Sequence, residues 1–398
     1  MAVEEWEAEN GASRLVPTEY IEWLQGLNVN WLLLSVSLHY EDSLDSTVSR
    51  ETGHDRSVPT FKDASLEQLL RELREHGFSV YLTLAFEAHR AETAARPVHR
   101  WQLGDPAPPE TGGVPPDDPT RGLIAAENWP WRPDHPDHQR FVREFWRTYT
   151  EQAVHFAQIA EDADVPLFSL GTETDRLFRS RASDGYMHND YGDELREMVA
   201  QVREVYSGRL TYDMHRDTLT ASDFFGPGSG AGHLWEDLDL DLVGVSAWFR
   251  LRESAPETPP TAHELQATFE DFFRTHLVPL AGRNPGRAIV FTEFGAMDLV
   301  EAVLDTGDSS REGETKVVAD VNRNGLDDGE ETQANIYQAF FDASERFPGL
   351  VNGAFLWNNW IHTKETWARH WARERHYGIR GKPAEAVVRG AYGRLAGR

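Results

Sequence analysis

"SLEQLLRELREHGFSVYLTLAFE", residues 65–87, changes character halfway. Its first half is amphipathic, with Ser65 and Gln68 spaced as a capping box, and Gly77 follows as a C-terminal stop. From Phe78 to Phe86 the run is nearly all apolar, as in a strand buried on both faces. The stretch therefore reads as one helix-to-strand step. The same order recurs in residues 17–37, 193–213, 264–295 and 334–360. A long helix over 138–160 carries Phe141, Phe145, Tyr149, Ala153 and Phe156 on one stripe and leads into "VPLFSLGTE".

Helices alternating with apolar strands imply a parallel sheet covered by helices. Strands are expected at 31–37, 78–86, 166–172, 209–213, 241–248, 288–293 and 352–357. A closed barrel needs an eighth, for which only the weak "ASRLVP" before Pro17 is available. The expected fold is thus an α/β (β/α)8 TIM barrel, one domain over 1–398, with long βα loops and a first strand that is weak or missing. An open doubly wound sheet would call for a G-x-G-x-x-G turn after its first strand, and none stands there. Long insertions at 88–136, 214–235 and 296–332 follow strands, on the side where barrel enzymes build their sites.

Sixty-six acidic against 39 basic residues give a formal charge of -27, which disfavours nucleic acid and anionic membranes as partners. With no cysteine, disulfides, thiolate metal sites and cysteine nucleophiles are excluded. "MAVEEWEAENG" lacks the apolar core of a secretory signal, and no apolar run reaches membrane-spanning length. A soluble chain is expected, cytoplasmic unless a leader was trimmed. Oligomeric state is not readable.

Two strands end on the same dipeptide: "SLGTETDR", 169–176, places Glu173 after Gly-Thr, and "AIVFTEFGA", 288–296, places Glu293 before Phe-Gly. In a barrel these ends lie three strands apart and face one another across the mouth. Retaining glycosidases need two carboxyls about 5–5.5 Å apart, one as nucleophile and one as acid and then base. Either glutamate alone would read as a cap or an ion-pair partner; the shared slot favours catalysis.

With "GVSAWF", 244–249, between these motifs and "GAFLWNNW", 353–360, after them, the chain resembles the clan A glycoside hydrolases, and within the clan glycoside hydrolase family 113, whose members hydrolyse β-mannan. The resemblance implies Glu173 as acid/base, Glu293 as nucleophile and Trp357 as the platform beneath the sugar, with a mannan-type substrate. The chain departs from the clan at Thr172, where asparagine usually precedes the acid. It departs again at Trp248 and Phe249, where a tyrosine usually touches the nucleophile. A carbohydrate-binding barrel that has lost catalysis is the alternative.

Sugars stack on indoles, and Trp129, Trp131, Trp248 and Trp357 fall in or beside strand-end loops, with Asn358 next to the last. Trp23, Trp31 and Trp146 read as core. In "TYDMH" period two puts Asp213 and His215 on one side, and Glu87 with His89 repeats the arrangement; all four are candidate substrate contacts. Finally, "DVNRNGLDDGEE", 320–331, fits the D-x-N-x-N-G-x-x-D-x-x-E pattern of a Ca²⁺ loop. Its expected ligands are Asp320, Asn322, Asn324, the Leu326 carbonyl, Asp328 and Glu331. Its flanks form no evident helix pair, so a structural Ca²⁺ in an insertion at about 305–332 is expected, with no cofactor for catalysis.

Overall fold

The computed structural model describes residues 2–3, 16–40, 46–50, 60–88, 136–174, 179–181, 187–189, 192–216, 219, 234–358 and 371–396. All seven expected strands are present: β2 (Trp31–Tyr40), β3 (Ser79–Ala88), β4 (Leu167–Thr172), β7 (Arg209–His215), β8 (Leu242–Ser246), β9 (Ala288–Phe294) and β10 (Val351–Leu356). A two-residue strand, β1 (Ala2–Val3), joins the sheet beside β2, ahead of where "ASRLVP" led one to look. Of that stretch only Val16 and Pro17 are described, and Val16 is buried. A short antiparallel hairpin, β5 (Arg179–Arg181) with β6 (Met187–Asn189), was not legible beforehand.

The contacts group the chain into two compact units of interleaved segments. The first comprises residues 1–33, 71–79 and 247–398; the second comprises 34–70 and 80–246. In the second unit β3, β4, β7 and β8 are neighbours in that order and every pairing is parallel. Helices α3 (Pro136–Asp162) and α4 (Gly192–Val205) cover them, and a short α5 (Leu234–Asp237) precedes β8. Of the α3 stripe, Phe145, Tyr149, Ala153 and Phe156 are fully enclosed, and the Phe141 side chain falls outside the described residues. Phe86 meets Tyr149 edge-on with centroids 4.8 Å apart, and Tyr149 donates to the Leu170 carbonyl, so the one polar atom of that ring is satisfied.

In the first unit β9 and β10 pair in parallel. Around them run α6 (Ala262–Phe272), a π-helical turn (Phe273–Leu277), α7 (Val278–Arg283) and α8 (Asp328–Arg346). The core is a run of phenylalanines: Phe340 lies 4.4 Å from Phe294 and 5.6 Å from Phe291, and Phe249 lies 4.9 Å from Phe269. Two helices bracket the unit in sequence, α1 (Thr18–Gly26) and α9 (Pro383–Ala396), and Arg389 of α9 donates to the Gly26 carbonyl.

Helix α2 (Asp63–Glu75) begins two residues before Ser65, so the expected capping box lies inside its first turn. The cause is local: Asp63 is held by Arg50 and His155, and the Leu66 N–H already reaches the Lys62 carbonyl. Gly77 ends the helix as read, at φ +85°, a conformation costly for any residue with a Cβ.

Candidate active site

In the second unit Glu173 directly follows β4. Its φ is +53°, which L residues rarely adopt, and its N–H donates to the Asp213 carbonyl at 2.8 Å. The side chain is 2% exposed, and Oε1 accepts a hydrogen bond from Ser246 Oγ, the last residue of β8. Gly171 is required here by close approach: a Cβ would fall 2.5 Å from Thr174 Oγ1 and 2.7 Å from the Tyr149 hydroxyl. Thr172, standing where the clan usually has asparagine, spends its hydroxyl on Thr83 Oγ1 at 2.7 Å. Asp213 is fully buried, with its N–H on Ser169 Oγ, and it pairs with Thr172 in the β4–β7 register. His215 pairs with Ser246 in the β7–β8 register and is only partly buried. Asp213 is thus enclosed, its carbonyl holding the Glu173 N–H, while His215 lies nearer the surface.

In the first unit Glu293 is the next-to-last residue of β9 and 1% exposed; its carbonyl accepts from Ala247 N–H at 2.7 Å. Gly295 follows because the chain passes too close for a side chain, the Trp357 carbonyl lying 2.5 Å from where a Cβ would sit. Trp357 N–H donates to the Phe294 carbonyl, and a cis peptide joins Trp357 to Asn358. Trp357 meets Trp248 edge-on at 6.4 Å, and Trp248 meets Tyr377 at 5.9 Å. Both tryptophans and Asn358 are buried. Phe249 points into the phenylalanine core, as its ring contacts with Phe269 and Phe294 show.

Glu87 lies in β3 by its backbone; its side chain, with His89, Trp129 and Trp131, falls outside the described residues. Trp23 and Trp146 are core, as read, whereas Trp31 is half-buried.

Behind β9 lies a buried ionic cluster that no motif announced. Asp298, fully buried, faces Lys382 Nζ at 3.2 Å, Arg375 Nη1 at 3.7 Å and Lys316 Nζ at 3.9 Å. Arg375 also grips both oxygens of Asp327, the N-cap of α8, and donates to the carbonyls of Asp298 and Val317. Burial works to raise the Asp327 carboxyl, but the hydrogen bonds and charge of Arg375 prevail and hold it below the usual range. Burial also pushes the Lys382 ammonium down to about 8, against the pull of Asp298.

In the 320–331 loop Asp320 accepts the N–H groups of Asn324 and Gly325, and Gly325 takes φ +84°. Asn324 Nδ2 donates to Glu331 Oε2, and Asn324 Oδ1 accepts from Leu326 N–H. Asp328 is buried and accepts the Val321 N–H with both oxygens. Helix α8 starts at Asp328, so a helix leaves the loop, while residues 314–327 leading into it form none. Among the described residues no three His, Cys, Asp or Glu side chains gather as a metal site.

A parallel α/β chain with two strands that close on Thr-Glu has the build of the TIM-barrel glycoside hydrolases, and comparison with known proteins agrees. The profile of Glycoside Hydrolase Family 113 matches residues 127–382. The chain belongs to that family and is a glycoside hydrolase. Similar solved structures include a GH113 β-mannanase, AaManA from Alicyclobacillus acidocaldarius, in complex with ManMIm. It is 18% identical with a TM-score of 0.62, the match covering 99% of this chain and 96% of that one. A complex structure of a GH113 β-1,4-mannanase is 16% identical at TM-score 0.62, covering 98% and 97%. A further GH113 β-1,4-mannanase is 17% identical at TM-score 0.58, covering 94% and 92%. At these identities the likeness speaks for the fold. None of the curated proteins matches the chain. No helix among the described residues is long and apolar enough to cross a membrane.

Proposed function

We propose that this family 113 hydrolase cleaves β-linked mannan or manno-oligosaccharides with retention, Glu173 serving as acid/base and Glu293 as nucleophile. The carrying observation is the burial of both carboxylates at strand ends, at 2% and 1% exposure. Enclosing a carboxylate is costly, and such groups concentrate at functional sites. Glu173 gives its proton to the glycosidic oxygen as Glu293 attacks the anomeric carbon and the C1–O bond breaks. Water, deprotonated by Glu173, then releases the sugar from Glu293. Trp248, Trp357 and Asn358 in the first unit, with Asp213 and His215 in the second, are the sugar-facing or supporting side chains of this reading; Glu87, His89, Trp129 and Trp131 complete it from sequence.

The test is turnover of β-1,4-manno-oligosaccharides, with product anomers followed by NMR. Glu293→Ala should abolish turnover, and wild type should release the β-anomer first. Activity retained in Glu293→Ala, an inverted first product, or binding without hydrolysis across mannan, glucan and xylan would each overturn it.

We further propose a structural Ca²⁺ in the 320–331 loop, held by Asp320, Asn322, Asn324, the Leu326 carbonyl, Asp328 and Glu331. The spacing of oxygen donors and the Gly325 turn support it.

A further inference from the structure

We propose that Ser246, which neither the clan pattern nor any motif singles out, is the positioning residue for the acid/base, a role that rests on reading Glu173 as the proton donor. The two residues are tied through three strands of one unit. Glu173 hangs from the end of β4 in a left-handed conformation, its N–H bonded to Asp213 on β7. Its carboxyl reaches past β7 to β8, where Ser246 Oγ donates to Oε1. Ser246 is itself immobilised: it is fully buried, lies in register opposite His215, and its carbonyl accepts the Arg216 N–H at 2.9 Å.

A serine hydroxyl has one proton to give. Given to Oε1, it makes that oxygen an acceptor and leaves Oε2 to carry the acidic proton. In the first step the Oε2 proton moves to the glycosidic oxygen while the C1–O electron pair goes to that oxygen, and Glu173 becomes a carboxylate. A hydrogen bond to a carboxylate is stronger than one to the neutral acid. Ser246 therefore strengthens its hold as negative charge develops, which is stabilisation realised in the transition state and not in the ground state.

The experiment compares kcat/KM on phenyl and 2,4-dinitrophenyl β-mannobiosides, since a good leaving group departs with little help from an acid. Ser246→Ala should lose about 10- to 100-fold on the phenyl substrate and less than about 3-fold on the dinitrophenyl one. Ser246→Thr, which keeps the hydroxyl, should recover most of the phenyl rate. A merely structural role would lower both rates alike and would not respond to the hydroxyl. Equal losses on the two substrates, or a folded Thr variant as poor as Ala, overturn the assignment. Glu173→Gln separates the two readings. If it shows no leaving-group split, Glu173 is not the acid and the role of Ser246 falls with it. If it shows the split and Ser246→Ala does not, Ser246 alone falls.

Discussion

Replacing Arg375 by methionine should destabilise the fold out of proportion to the removal of one side chain. Its guanidinium holds Asp327 by two bonds, 2.5 and 3.1 Å, and two carbonyls at 2.7 and 2.6 Å. The side chains of the pair are 8% and 4% exposed, so water cannot compensate. Breaking a buried pair by removing one partner costs about 3–5 kcal/mol. Asp327 would keep the N–H groups of Gly329, Glu330 and Ala319, which puts the expected loss near the lower end, about 3 kcal/mol. An unfolding entropy of ~2.1 cal/mol/K per residue over 398 residues gives ~0.8 kcal/mol/K. The melting midpoint should therefore fall by about 4 °C, measured by calorimetry at neutral pH. Arg147→Ala, which removes the two surface pairs with Glu144 and Glu151 of an arginine that is 52% exposed, should leave the midpoint nearly unmoved and serves as control. A shift below about 1 °C for Arg375→Met would refute the view that this cluster holds the segment behind β9.

The same pair sets an acid dependence. The folded Asp327 carboxyl is depressed, so its contribution is present above the usual aspartate range and lost as pH falls through the folded value. The stability gap between wild type and Arg375→Met should close on acidification, and a gap constant down to pH ~2 would contradict the assignment. Gly295→Ala should cost about 1–3 kcal/mol by forcing β9 from the Trp357 carbonyl; denaturant titration checks it, and a neutral result would mean the two chains part freely. Chelator should lower the melting midpoint of wild type but not of Asp320→Ala; an unchanged wild-type curve would dispose of the calcium proposal. Glu173→Ala should lose far more rate on phenyl than on dinitrophenyl glycosides, read from kcat/KM for the two.

Most strands were legible because they are largely apolar runs closed by polar residues: "LFSLGT" and "AIVFTEF" carry their boundaries in composition. Helix α9, "PAEAVVRGAYGRLA", was missed because Gly390 and Gly393 interrupt its pattern; Ala384, Val388 and Ala391 are its buried face. Glu173 and Glu293 could be picked out by matching slots. Ser246 could not, since a serine at a strand end is commonplace and its meaning comes from a carboxylate 73 residues earlier in the chain. The Asp298 cluster was hidden for the same reason: its members come from three segments that only the fold assembles.

The bond from Arg389 to the Gly26 carbonyl spans 363 residues. On the ribosome, at about 5–20 residues per second, α1 is made roughly 20–70 s before the helix that closes on it. During that interval Tyr20, Ile21 and Leu24, all enclosed in the finished protein, have no native partner from the C-terminal end. Nascent chains thus carry α1 through that interval without the contact that α9 supplies, and a chaperone-depleted translation system is where the yield should suffer.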